Sequence, residues 1–185
     1  FYEEKNDIWV TTWNKLYNLS FLREFHIHFL EHVYHEDIVM HAMLALNTRS
    51  FTLTSQTTYL YNCKREDSIT NMEQGYTLKH LNDLTIVFSE IRRLIQADNN
   101  LSKHLQKEIN LYYLFEIYHR YLPAMYSNIK RVDLIKGLAR LSQNCLPPIL
   151  ETRLTFKSIK RFLFLKLPFN IQYLIKSHKY KKSRV

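Results

Sequence analysis

Two adjacent acids, Glu36 and Asp37, stand just ahead of Ile38, Val39, Ala42, Met43 and Leu46, an apolar series at helical spacing. A carboxylate where a loop enters a helix can reach into a cleft while the helix behind fixes its backbone. That is what taking a proton from a hydroxyl requires. Asp37 fits this geometry, and Glu36 beside it points elsewhere on the helical turn. Acids at a helix amino end also suit the helix dipole, so the pair by itself carries little information. Further along, Lys64, Arg65, Ser68 and Thr70 set two cations and two hydroxyls in one polar loop. Such a set suits a diphosphate, which a guanidinium grips in a bidentate way. Taken alone, the loop is better read as a solvated, charged turn.

Several elements must position these groups. Ile8-Trp9-Val10-Thr11-Thr12-Trp13 is β-branched and aromatic and predicts a short buried strand. Leu19 to Phe25 predicts a helical turn or two, Glu36 to Leu46 a helix, Ser50 to Tyr61 an extended segment, and Asn62 to Asn71 a loop. After Asn71 the character changes. Thr77 is placed to cap a helix whose Leu81, Leu84, Phe88, Ile91 and Ile95 repeat every three or four residues, a stripe expected to be core. Asp98-Asn99-Asn100 breaks it. A second helix carries Leu101, Leu105, Ile109, Tyr112 and Phe115 on one side and ends near Pro123. A third covers Ile129 to Leu141, Pro147-Pro148 stops anything beyond, and two basic, apolar segments flank Pro168. The division is a mixed α/β part over 1–75, a helical extension over 76–150 and a basic amphipathic tail over 151–185.

Trp13-Asn14-Lys15-Leu16-Tyr17, His35-Glu36-Asp37-Ile38 and Arg65-Glu66-Asp67-Ser68-Ile69-Thr70 occur in this order over roughly residues 7 to 71. In that order they resemble the second half of the catalytic domain of bacterial family-2 glycosyltransferases, the inverting enzymes that build capsule and lipopolysaccharide sugars. The resemblance implies an α/β fold, a partial GT-A (nucleotide-diphospho-sugar transferase-like) domain, followed by a mainly α-helical carboxy-terminal extension. It implies transfer of a hexose or N-acetylhexosamine from a nucleotide-sugar donor to a glycan or lipid-linked glycan acceptor. Asp37 would be the catalytic base, with Glu36 positioning acceptor or backbone. Arg65, Ser68, Thr70 and Lys64 would bind the donor diphosphate, and Trp13, Lys15 and His35 would bind acceptor. Tyr61-Asn62-Cys63-Lys64 departs from the family's spacing by one extra residue, which weakens the roles of Lys64 and Tyr61 most. The cofactor implied is Mg²⁺ or Mn²⁺ on the diphosphate, its ligands in an Asp-x-Asp motif of an amino-terminal half expected ahead of Phe1. Without that half, the chain in isolation should transfer little.

Composition bounds the alternatives. A chain of 185 residues with 46% hydrophobic content supports one domain with a real core. Two glycines are too few for a Walker loop or a dinucleotide fingerprint. Cys63 and Cys145 form no Cys-x-x-Cys and read as reduced thiols in a cytosolic setting. His26, His28, His32, His35 and His41 cluster without metal-ligand spacing, so no metal site is expected among them. No apolar run reaches the roughly 18 residues of a membrane-spanning helix.

The net charge of +9 is concentrated late: no acid follows Glu151, while the same stretch holds Lys157, Lys160, Arg161, Lys166, Lys176 and further cations. Phe156, Ile159, Leu163 and Leu167 form an apolar stripe among them, which fits a helix lying in an anionic headgroup layer. The expected location is therefore cytoplasmic, peripheral at the inner face of the plasma membrane. A disordered basic terminus is the competing reading of the tail. Rivals to the transferase are a non-catalytic basic helical module binding membrane or nucleic acid, and an inactive truncated gene product. No helix-turn-helix, RNA-recognition or zinc-finger pattern supports nucleic acid.

Overall fold

The computed structural model describes residues 12–60 and 76–181, with side chains through Lys176. Regular structure among them is helical: α1 (Leu19–Glu24), α2 (Glu36–Asn47), α3 (Leu78–Ala97), α4 (Lys103–Met125), α5 (Arg131–Asn144), a 3₁₀ turn (Ile149–Glu151), α6 (Phe156–Lys166) and α7 (Phe169–Lys181). No strand or sheet occurs among the described residues, which overturns the α/β, partial GT-A expectation in favour of an all-helical fold. Of the strand expected at Ile8 to Trp13, residues 8–11 lie outside the described residues, and Thr12 and Trp13 form a bend and turn. The segment from Ser50 is coil through Leu60, with Phe51, Leu53 and Leu60 exposed. Aromatic and β-branched residues favour a pleated surface only when a neighbouring strand takes up their backbone groups. Here no such neighbour is described.

The helices start where local chemistry predicts. Asn18 caps α1 by accepting from Ser20 and Phe21 N–H. Thr77 caps α3 in a capping box closed by His80, and Ser102 caps α4. The expected stripe of α3, Leu81 to Ile95, is buried throughout and packs on α2, α4 and α5. At the crossing with α5, Gly137 faces Leu81, and a Cβ there would overlap the Leu81 side chain. The core face of α4 differs from the expected one. Leu111, Leu114, Ile117 and Tyr121 are buried, Ile109, Tyr112 and Phe115 are half-buried, and Leu105 is exposed. The reason is that α4 packs on α3 and α5 along one side and on α6 along another, so no single stripe describes it. One hydrophobic core joins Ile38, Val39 and Met43 of α2 to Leu84 and Phe88 of α3, Ile117 of α4, Leu138 of α5 and Leu165 of α6. No helix among the described residues is long and apolar enough to cross a membrane.

Candidate active site at the head of helix α2

Ile38, Val39, Ala42 and Met43 bury one side of α2, and this fixes the position of its first turn. Glu36 and Asp37 are that first turn, both half-buried, and His35 precedes it as the N-cap residue. His35 adopts a left-handed backbone conformation, φ 66°, as do His26 (φ 49°) and His32 (φ 61°). Histidine visits that region more readily than most side chains. The histidine cluster that invites a metal reading thus serves in part to turn the chain, and that role leaves no spacing signature.

The loop before α2 is fastened to α3. Tyr34 N–H donates to the buried Asp83 carboxylate at 2.9 Å, and Lys79 both pairs with Asp83 and donates to the His32 carbonyl. The Tyr34 ring stacks on His80, 4.0 Å between centroids. These contacts hold His35 against Tyr76 and His80 and bury its Nε2 without a hydrogen-bond partner. Burial, with Arg120 and His80 adding to it, takes the His35 pKa down to about 4. The imidazole is therefore neutral over the physiological range.

Asp37 shows the opposite displacement. Burial chiefly, then the charge of Glu36, raises its pKa, against the pull of Arg120 and of backbone N–H donors at the helix start. Lys15 lies within electrostatic reach of Asp37 and of His41 one turn along α2, and burial lowers the Lys15 pKa. Arg120 comes from α4, bridged to the buried Glu116 at 3.5 Å and bonded to Tyr76. Burial opposes its charge, but Glu116, Tyr76 and Asp37 outweigh that and raise its pKa.

The expected site residues therefore fall into three groups. Asp37, Glu36, His35 and Lys15 come together at the head of α2. Trp13 lies outside the core cluster, 44% exposed, with its ring 4.4 Å from that of Tyr59. Lys64, Arg65, Ser68 and Thr70 lie outside the described residues. Glu116, Arg120 and Tyr76 were not anticipated. The signal available was Glu116 and Arg120 at helical i, i+4 spacing beside the apolar residues of α4, where charge is unexpected.

The resemblance implies a divalent metal with its ligands ahead of Phe1, and the described residues form no further set for one. Among the described residues no three His, Cys, Asp or Glu side chains converge, and the Asp37 carboxyl has the cations Arg120 and Lys15 for neighbours. Those cations would repel Mg²⁺ or Mn²⁺. No family model, curated protein or solved structure matches this chain.

Proposed function

We propose that this chain carries the acceptor-activating part of an inverting sugar transferase, with Asp37 as general base. The acceptor is a glycan or lipid-linked glycan of capsule or lipopolysaccharide type, and the donor a nucleotide-activated hexose or N-acetylhexosamine. The single observation behind the reading is the setting of Asp37. It is a half-buried carboxyl at a helix head, its proton affinity raised by burial and Glu36, with Lys15 and Arg120 beside it. A raised pKa makes the carboxylate a stronger base.

In the step proposed, the Asp37 carboxylate takes the acceptor hydroxyl proton as that oxygen bonds the donor's anomeric carbon. The bond from this carbon to the diphosphate breaks from the opposite face, and the diphosphate leaves with the electron pair. Trp13 and Tyr59 offer rings to the apolar face of a sugar. Arg65, Ser68 and Thr70 take the diphosphate by resemblance alone. The enzyme works at the cytoplasmic face of the membrane, where lipid-linked acceptors are exposed. The test is Asp37→Asn in the intact protein, assayed with a panel of nucleotide hexoses and N-acetylhexosamines. Turnover should drop by roughly 10²–10⁴ with nucleotide binding unchanged. Full activity in the variant, or its failure to fold, would overturn the assignment.

A further inference from the structure

We propose that the exposed faces of α6 and α7 form a docking surface for an anionic lipid bilayer. The observation is an inverted helix pair. On α6 the residue turned most completely inward is Ser158, while Phe156 is 82% and Leu163 59% exposed. On α7 Gln172 is fully buried, while Leu174 is 69% exposed, with Ile171 and Ile175 also outward. Helices that simply cover a core do the reverse.

Polar and cationic anchors fix this orientation. Ser158 accepts from Thr155 N–H in a capping box and donates to a neighbouring carbonyl. Gln172 accepts from Tyr121 Oη–H at 2.6 Å and donates to the Phe164 carbonyl at 2.8 Å. The Arg161 guanidinium lies 3.9 Å from the Phe115 ring centre, and the Lys176 ammonium 5.4 Å from that of Tyr118. Phe164 and Leu165 are the fully buried apolar residues of α6, with the half-buried Phe162 packed against the core beside them. The aliphatic stripe is therefore presented outward by specific bonds.

Charge selects the occupant. Lys157, Lys160 and Lys166 are exposed around the stripe, and no acid follows Glu151 to offset them. Two copies meeting face to face would bring these cations together. Nucleic acid would satisfy the cations and leave the isoleucines and leucines unused. An anionic bilayer satisfies both, taking aliphatic side chains below the headgroups and lysines among the phosphates. This surface stands independently of Asp37.

The experiment is flotation of the intact protein with phosphatidylcholine vesicles, pure or containing about a third phosphatidylglycerol. Binding is expected only with the anionic lipid and should weaken as salt rises. Phe156→Ser/Leu163→Ser and Lys157→Glu/Lys160→Glu should each weaken it about tenfold or more, whereas Lys103→Glu/Lys136→Glu, the same charge change elsewhere, should leave it intact. Circular dichroism of each variant confirms that the helices persist. The proposal is overturned by no binding to anionic vesicles at low salt, by equal binding to neutral ones, or by stripe variants that bind as the parent does. It is equally overturned if the stripe variants abolish a dimer seen by sedimentation, or duplex DNA binding, while vesicles are ignored.

Discussion

The head of α2 and the α6–α7 pair depart from the usual distribution of side chains in opposite directions. At α2 the chain draws Asp37, His35, Glu116 and Arg120 away from solvent. Along α6 and α7 it turns Phe156, Leu163 and Leu174 towards it. Each departure costs free energy that the rest of the fold must supply, and α3, which buries Leu81, Leu84, Val87, Phe88, Ile91 and Ile95, is the part best able to do so. The contrast teaches that the two regions answer to different demands. Buried charge tunes proton affinity, and exposed apolar surface has use only against another surface.

Asp37→Asn should give the largest effect. Loss of the base lowers turnover by roughly 10²–10⁴, yet folding stability should not decline. The sign follows from linkage. A carboxyl whose pKa is raised in the folded state binds its proton more tightly there than in the unfolded chain, so ionisation at neutral pH opposes folding. A carboxylate serving only to cap the helix would behave differently, its loss costing about 1 kcal/mol. A urea melt of the variant at pH 7 separates the two, and a drop of that size would argue for the cap.

Arg120→Met comes next. It removes the Arg120 ion-pair partner of the buried Glu116, which should cost up to about 3 kcal/mol in a urea melt. It also removes the cation that opposes the rise of the Asp37 pKa, so the acid limb of any activity profile should move to higher pH. A variant as stable as the parent would mean that this end of α4 does not carry a buried ion pair.

How far the sequence speaks depends on the range over which the physics acts. Caps, breaks and stripes are local, and Thr77, Asp98-Asn99-Asn100, the α3 stripe and Pro168 mark their elements correctly. The α/β expectation failed because strand character is read from Phe51, Leu53 and Tyr59, whereas a sheet depends on a partner that no local pattern reports. The acidic pair was legible at the helix head. Its setting was not, because Arg120 and Glu116 arrive from α4 through packing alone. The tail stripe was visible as a period in the sequence. Its outward direction is set by Ser158 and Gln172, whose burial no periodicity reveals.

His35 should produce a smaller, pH-dependent effect. Its pKa moves from 6.5 to about 4 on folding, so the unfolded chain binds the extra proton in that window. The stability gained from a neutral His35 is complete above pH 6.5 and is lost as pH falls towards 4. Allowing for its partial exposure, the loss is about 2 kcal/mol. His35→Asn keeps a side chain suited to a left-handed N-cap and should flatten this acid limb. Urea midpoints of both proteins across the window measure it, and parallel curves would show that the ring is solvated.

The smallest expected change is the most discriminating for the tail. Phe156→Ser/Leu163→Ser removes two large side chains from positions mostly in solvent, so stability should shift by no more than about 0.5 kcal/mol. Had these residues belonged to the core, the pair would cost several kcal/mol. The same substitutions should leave turnover on a water-soluble acceptor unchanged, since both side chains are exposed on α6, which packs on α4. An unfolding midpoint that falls steeply would place the stripe inside the fold and remove the contrast between the two regions. An unchanged midpoint, paired with lost vesicle binding, would leave the outward face of α6 with no role in folding and one at the bilayer.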